Sequence, residues 1–361
     1  MRTTLTLLII LAYLLPTQAA PMFAFWNYKV EDGLSNNCVN CGFQDSLGFI
    51  WFGTNDGLNC FDGKNNQIYR NTPSDSTSLG NAYVLSLTED HQSNLWIGTN
   101  FGCYIYQRDK GQFIKFQKHT TYGVSISCEV KCMHTSPNGL IWMGTLGQGT
   151  FVYDPKTEQL QQDSKHSFFI NDFYESASGD VYATTLQGSI IQYSPNGKPQ
   201  QVVQLSLDQS LLNQINCIAE IEGKLWMSIG DHSLYILDTK NNSSLHIPVQ
   251  NKNFKTIHDI FPYHKEQILM GTDNGLYIFN TIDQTFTLPN QSSRMNHLSS
   301  TSINGFFSDA EKGIWILTKT NGVSYLPKRT KEYEYHCPTT GNKNNLSKIE
   351  GTEKVPHIVA S

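Results

Sequence analysis

Residues 49–62 read FIWFGTNDGLNCFD. Two runs of strand-forming residues flank Asn55-Asp56-Gly57, and Gly supplies the positive φ that a tight hairpin needs. The stretch therefore reads as strand, turn, strand. The same grammar returns six times: NLWIGTNFGCYIYQ (94–107), LIWMGTLGQGTFVYD (140–154), DVYATTLQGSIIQYS (180–194), KLWMSIGDHSLYILD (224–238), QILMGTDNGLYIFNT (267–281) and GIWILTKTNGVSYLP (313–327). The repeat anchors are Trp51, Trp96, Trp142, Tyr182, Trp226, Leu269 and Trp315, spaced by 45, 46, 40, 44, 43 and 46 residues.

A short apolar run precedes each copy: Val39 to Phe43, Val84 to Leu87, Val130 to Met133, Ile170 to Tyr174, Ile215 to Ile218, Ile257 to Phe261 and Ile303 to Phe307. A polar turn such as Asp45-Ser46-Leu47-Gly48 links the two, and a looser fourth strand, for example Gln112 to Phe116, completes the unit. Four strands on a period in the forties is propeller arithmetic. The expected fold is all-β, a seven-bladed β-propeller of four-stranded antiparallel blades over residues 23–333. A single such sheet cannot hide both faces, whereas radial stacking buries each against the next. The five repeat tryptophans are read as wedges between blades, each worth about 3–5 kcal/mol. A sugar-stacking role for one of them is the minor reading. Phe23 to Val30 is strand-like and is placed to add an outer strand after Ser324-Tyr325-Leu326, closing the ring and removing open sheet edges.

Aromatics form 12% of the 361 residues and charged residues 16%, the opposite of a disordered composition. A formal net charge of −5 without a dense Lys/Arg run excludes nucleic acid as a partner. Arg2, the apolar Leu5 to Leu15 and the small residues of Thr17-Gln18-Ala19 read as a signal peptide over 1–19, with an uncleaved anchor as the alternative. After cleavage the chain is expected to be periplasmic, without membrane contact. At the other end, Asn345 to Ile349 resembles the lead-ins Ser78 to Val84 and His297 to Ile303, and Ile349 falls 46 residues after Ile303. Residues 334–361 are therefore expected to be a poorly ordered tail that starts a second, truncated propeller.

The chain has eight cysteines, which in an exported protein invites a disulfide reading. The repeat argues otherwise. Cys41, Cys132 and Cys217 share one inner-strand position, held elsewhere by Ser86, Asp172, Asp259 and Gly305. They lie in non-adjacent blades, too far apart to bridge, and are expected to be free, buried thiols. Cys38-x-x-Cys41 and Cys128-x-x-x-Cys132 have spacings that can bind zinc or do redox work, but on strands, with no helix to open, the structural reading is preferred.

In a propeller the loops between second and third strands share a face with the loops entering the inner strands. Candidate ligand-binding residues on the former are Asn55, Asp56, Asn100, Phe101, Gln148, Gln187, Asp231, His232, Asp273, Asn274 and Asn321. Amides and carboxylates beside an aromatic suit carbohydrate hydroxyls, although Asn, Asp and Gly are also what hairpin turns require. The second inner-strand residues Asn40, Lys131, Asn171, Asn216, His258 and Asn304 form a polar ring that holds water by default, or a ligand. No H-E-x-x-H, G-x-S-x-G, Walker loop or dinucleotide fingerprint is present, so no catalytic residue, metal site or cofactor is expected.

Tyr28 to Gly63, YKVEDGLSNNCVNCGFQDSLGFIWFGTNDGLNCFDG, resembles the opening of the two-component regulator propeller, the periplasmic sensor region of hybrid two-component systems in Bacteroidetes. EDGLS, D-x-x-G-F-I-W-F-G-T and D-G-L-N-x-F-D-G carry the resemblance, weaker copies follow at 95–99, 141–145 and 269–276, and it covers about residues 24 to 335. It implies a sensor that binds an oligosaccharide and drives a membrane-crossing histidine kinase controlling polysaccharide-use genes, with a homodimer in the full-length context. The kinase and membrane parts of that architecture are not found in this sequence, so the chain itself is read as a non-enzyme. The alternatives are a secreted propeller lyase or glycoside hydrolase, since streptogramin-lyase-like propellers carry similar repeats, and a protein–protein interaction platform. Quinoprotein propellers lack the Gly-Thr after Trp, which argues against a quinone.

Overall fold

The computed structural model describes residues 22–328 except 168, 206–213, 231–232, 242, 250–252, 292–296 and 301. The proposed signal peptide and the 334–361 tail lie outside the described residues. Seven four-stranded antiparallel sheets follow one another. Blade 1 comprises Val39–Gln44, Ile50–Thr54, Gly57–Phe61 and Asn66–Tyr69, and blade 2 Val84–Glu89, Leu95–Thr99, Gly102–Gln107 and Gln112–Lys115. Blades 3, 4, 5 and 6 begin with inner strands Glu129–Thr135, Ile170–Glu175, Ile215–Ile221 and Ile257–His264. Blade 7 has Ile303–Ser308, Ile314–Thr318 and Val323–Leu326, and Trp26–Tyr28 supplies its fourth strand. The register Trp26↔Tyr325, Asn27↔Ser324, Tyr28↔Val323 closes the ring where the sequence placed the closure. The described residues contain one short 3-10 turn, Val30–Asp32, and no α-helix.

The buried apolar residues fall into seven clusters, and each straddles two neighbouring blades. Trp51 packs with Leu87 and Ile97 of blade 2, Trp142 with Val181 and Ile191 of blade 4, and Trp315 with Ile50 and Phe52 of blade 1. The five repeat tryptophans are at most 7% exposed. They are wedges, as expected, which removes them from any sugar-stacking role.

The motif D-x-x-G-x-x-W has a local cause. Asp45 accepts the amides of Leu47 (3.0 Å) and Phe49 (2.9 Å) with Oδ1 and the Trp51 indole N–H (2.7 Å) with Oδ2. Asp90 and Asp309 do the same for Trp96 and Trp315, while Ser136 Oγ serves Trp142. The Gly-Thr is equally local. Thr54 Oγ1 accepts the Asp56 amide at 3.0 Å and donates to the Gly57 carbonyl at 3.0 Å, tying off the hairpin. A Cβ on Gly53 would come within 2.4 Å of Cys41 Sγ and 2.5 Å of the Val84 side chain in blade 2, so only hydrogen fits.

That contact explains the cysteine column. Cys41, Ser86, Cys132 and Asp259 each pair directly with the repeat glycine, Gly53, Gly98, Gly144 and Gly271. The position faces the blade interface and wants a compact side chain. All seven described cysteines are free. Cys132 and Cys217 are buried and burial pushes both thiols well up. Cys41 departs from full burial: the residue is half-buried on the channel wall, while its thiol, packed against Gly53, is pushed up to about 12.

Candidate functional site at the channel mouth

Every inner strand carries a β-bulge at its second repeat residue, where the register skips from the first to the third. A bulge re-aims the side chain it frees. Asn40, Lys131, Asn171, Asn216, His258 and Asn304, six of the seven bulged residues, line one central cavity of about 400 Å³. Asp172, Asp259, Gln214 and Lys319 join them. The size falls within the range of ordinary ligand pockets, roughly 300–1,000 Å³.

The asparagines of this ring have a structural task that the sequence did not disclose. Asn40 Nδ2 donates to the Val84 carbonyl (2.9 Å), Asn171 to Ile215 (3.0 Å), Asn216 to Ile257 (3.0 Å) and Asn304 to Val39 (2.8 Å). Each staples its blade to the next; the Asn40 and Asn171 amide nitrogens each make a second bond, to Asn55 and to the Asn216 carbonyl, so both of their donors are used.

Two carboxylates sit deeper. Asp172 accepts the amides of Phe173 (2.9 Å) and Ile218 (3.2 Å), and Asp259 those of Ile260 (2.8 Å) and Phe306 (2.8 Å). Burial raises Asp172 to about 6, against the pull of those amides. Burial, and then the charge of Asp172, raises Asp259 to about 8, so Asp259 is largely protonated at neutral pH. His258 is pushed down to about 4 by burial and then by Lys319, and is therefore neutral. Its Nε2 accepts a hydrogen bond from Lys319 Nζ at 3.1 Å.

The described loop residues predicted from sequence lie on the face where the inner strands begin, but most of them stitch that face together. Asn55 Oδ1 accepts from Asn40, and Asp56 pairs with the exposed Arg70 at 3.1 Å. Gln148 bridges Ser127 N and the Ser125 carbonyl, and Gln187 accepts from Ser167 Oγ. Asp273 caps the amides of Lys255 and Thr256. Asn274 donates to the Asn253 carbonyl and Asn321 to the Ser299 carbonyl. The Asn100 backbone N–H bonds to the Tyr83 carbonyl. Asp231 and His232 lie outside the described residues. Phe101 is different: it is 57% exposed, with the Lys115 ammonium 5.3 Å above its ring. Sequence reading missed its companions. Tyr83, Tyr122 and Phe169 are also exposed and lie in the lead-ins to blades 2, 3 and 4. Tyr83, Phe101 and Phe169 sit on the mouth face, whereas Tyr122 lies on a turn that Thr120 ties to Leu160 of the outer strand of blade 3, away from the channel. The companions were hard to find because aromatics do not recur from blade to blade at one position of the lead-ins.

Residues 78–101 match the family model described as two component regulator propeller. A 57-residue stretch, 16% of this chain, is 51% identical to histidine kinase P4 of Formosa agariphila, of which it covers 4%. The fold is similar to the extracellular domain of the hybrid two component system BT3049 from B. thetaiotaomicron, with a TM-score of 0.70 and 23% identity over 84% of this chain. BT4673 of the same organism gives 0.71 and 22% over 85%. The chain spans about two-fifths of the length of those domains (42% and 40%). Streptogramin B lyase has the same fold at a TM-score of 0.62 and 13% identity. The chain is thus a propeller carrying the two-component regulator repeat, the family that Tyr28 to Gly63 resembles.

Proposed function

We propose that this chain is the periplasmic ligand-sensing propeller of a hybrid two-component regulator, and that it binds an oligosaccharide on the channel-mouth face. The observation that carries this reading is a set of exposed aromatics, Tyr83, Phe101 and Phe169, on the face where a polar cavity of about 400 Å³ opens. Aromatic faces stack on sugar rings, while the polar wall meets hydroxyls. The regulator repeat and the likeness to extracellular domains of hybrid systems support the sensing role. Binding would act through kinase and membrane parts, with polysaccharide-use genes as the output and a homodimer as the signalling form.

A glycan panel read by thermal shift tests the proposal. A bound oligosaccharide at 100 times its dissociation constant should add about 2.7 kcal/mol of stability. It should be recovered unchanged, and Phe101→Ala and Phe169→Ala should weaken binding. Stabilisation by no glycan would overturn the reading. Consumption of the sugar would replace it with the lyase or hydrolase alternative that the streptogramin-lyase likeness keeps in view.

A further inference from the structure

The charged groups at the channel mouth are unevenly committed. Each carboxylate is held by two backbone amides: Asp172 by Phe173 and Ile218, Asp259 by Ile260 and Phe306, Asp273 by Lys255 and Thr256. The ammonium groups are not. Among the described residues no carboxylate lies within ion-pair distance of Lys131 or Lys319. Among the described residues the Lys319 ammonium donates only to the neutral His258, and no hydrogen bond is found for the Lys131 side chain. The two lysines come from blades 3 and 7, line the same cavity and repel one another across it. Burial works most strongly against the charge on Lys319; Asp273 and then Cys38 favour it, and the repulsion from Lys131 is the smallest of the four effects.

Two ammonium groups that line one cavity without an ion-pair partner among the described residues, one of them desolvated, leave donors directed at a bound anion. Resting on the ligand-sensing reading above, we infer that the ligand is an acidic sugar, whose carboxylate or sulfate group is held at the channel mouth between Lys131 and Lys319. The exposed aromatics Tyr83, Phe101 and Phe169 of blades 2 and 4 lie on the same face and would take the sugar rings outside the channel. A charge-assisted hydrogen bond to an ammonium contributes enough that losing one should weaken binding roughly tenfold to a hundredfold.

The test titrates the exported chain with D-glucuronate, D-glucose 6-sulfate and D-glucose at constant ionic strength, followed by uronate and neutral oligosaccharides. Tm and calorimetry are the readouts. Wild type should bind at least one acidic sugar and not glucose. Lys131→Met and Lys319→Met should each raise the dissociation constant about tenfold or more. Lys131→Arg, which keeps the charge, should retain binding and so separates lost contact from lost fold. The preference between glucuronate and the sulfate tells which anion the mouth takes. Equal binding of acidic and neutral sugars, or wild-type affinity in both methionine variants, overturns the inference while leaving the sensor reading intact. Binding of plain sulfate or acetate with no oligosaccharide preference keeps the anion site and sinks the sensor reading. Binding of neither anions nor sugars sinks both.

Discussion

Replacing Asp45 with Ala should cost more than any other single exposed-turn substitution in blade 1. Asp45 lies in a surface turn, yet its side chain is fully buried. It accepts the Leu47 and Phe49 amides and the Trp51 indole, and it pairs with Arg108 of blade 2 at 2.7 Å. Arg108 also reaches Glu89 at 3.5 Å and lies 5.9 Å from the Trp51 ring centroid. Removing the carboxylate leaves a buried indole N–H unpaired and takes from Arg108 its better partner. Breaking a largely buried pair by deleting one member costs about 3–5 kcal/mol, and unsatisfied donors are part of that figure. At ~2.1 cal/mol/K per residue over roughly 300 residues, Tm should fall by about 5–8 °C. Blade 3 suggests the control, because Ser136 Oγ holds the Trp142 indole at 2.9 Å without a carboxylate. Asp45→Ser should keep the indole bond and lose the ion pair, giving a loss intermediate between wild type and Ala. Calorimetric scans of the three proteins, with hydrogen exchange at the Leu47 and Phe49 amides, make the measurement. An Ala variant melting within 1 °C of wild type would refute the idea that this clamp links turn, wedge and neighbouring blade.

The buried thiols should be inert: a thiol reagent at neutral pH should leave Cys103, Cys132 and Cys217 unmodified until denaturant is added. Fewer than three free thiols in unreduced, unfolded chain would contradict the unbridged cysteine column. Lys312 holds φ 68°, where the equivalent turn positions of blades 1 and 3 use Gly48 (92°) and Gly139 (93°). Lys312→Gly should therefore stabilise by about 0.5–1 kcal/mol in urea titration, and a loss of stability would count against it. Asp259 titrates at about 8 in the fold and near 4 when unfolded, so between those values the folded state holds the extra proton. Stability should fall as pH rises from about 4 to 8, and Asp259→Asn should flatten that slope. Identical pH profiles for the two proteins would show that Asp259 is not the buried acid it is drawn to be.

Most of the ring was legible because a propeller writes the same local solution seven times. Asp45 and Trp51, Thr54 and Gly57, and Cys41 opposite Gly53 each sit within twelve residues, so their repetition exposes them. The closing strand was legible for a different reason: Trp26–Tyr28 is a strand with no partner until Val323–Leu326. What stayed hidden spans blades. Asn40 reads as a ligand amide in isolation, and only the fold brings the Val84 carbonyl, 44 residues away, within 2.9 Å of it. Lys319 escaped because it directly follows Thr318, in the column that holds Asn55, Asn100 and Asp273 elsewhere. Read as turn residues, that column concealed its one lysine.

The bulged ring separates what the fold needs from what it does not. Where the bulge holds Asn40, Asn171, Asn216 or Asn304, the amide staples one blade to the next. Blade 2 has Leu85 there, and Ser86 Oγ takes over the staple to the Val130 carbonyl at 2.9 Å. Blade 6 has His258, and Asp259 instead binds the Phe306 amide of blade 7. In blade 3 the tie to blade 4 is made at the far end of the inner strand, by His134 and Ser136 to Glu175. His258 and Lys131 are thus relieved of stapling, and any residue that avoids the channel axis would serve the fold in their place. A neutral imidazole that receives Lys319 and an ammonium with no protein partner are not what an empty, water-filled channel selects for. They suit a channel that holds an anion, and on that proposal the departures from Asn, rather than the asparagines themselves, are the positions whose substitution should change binding.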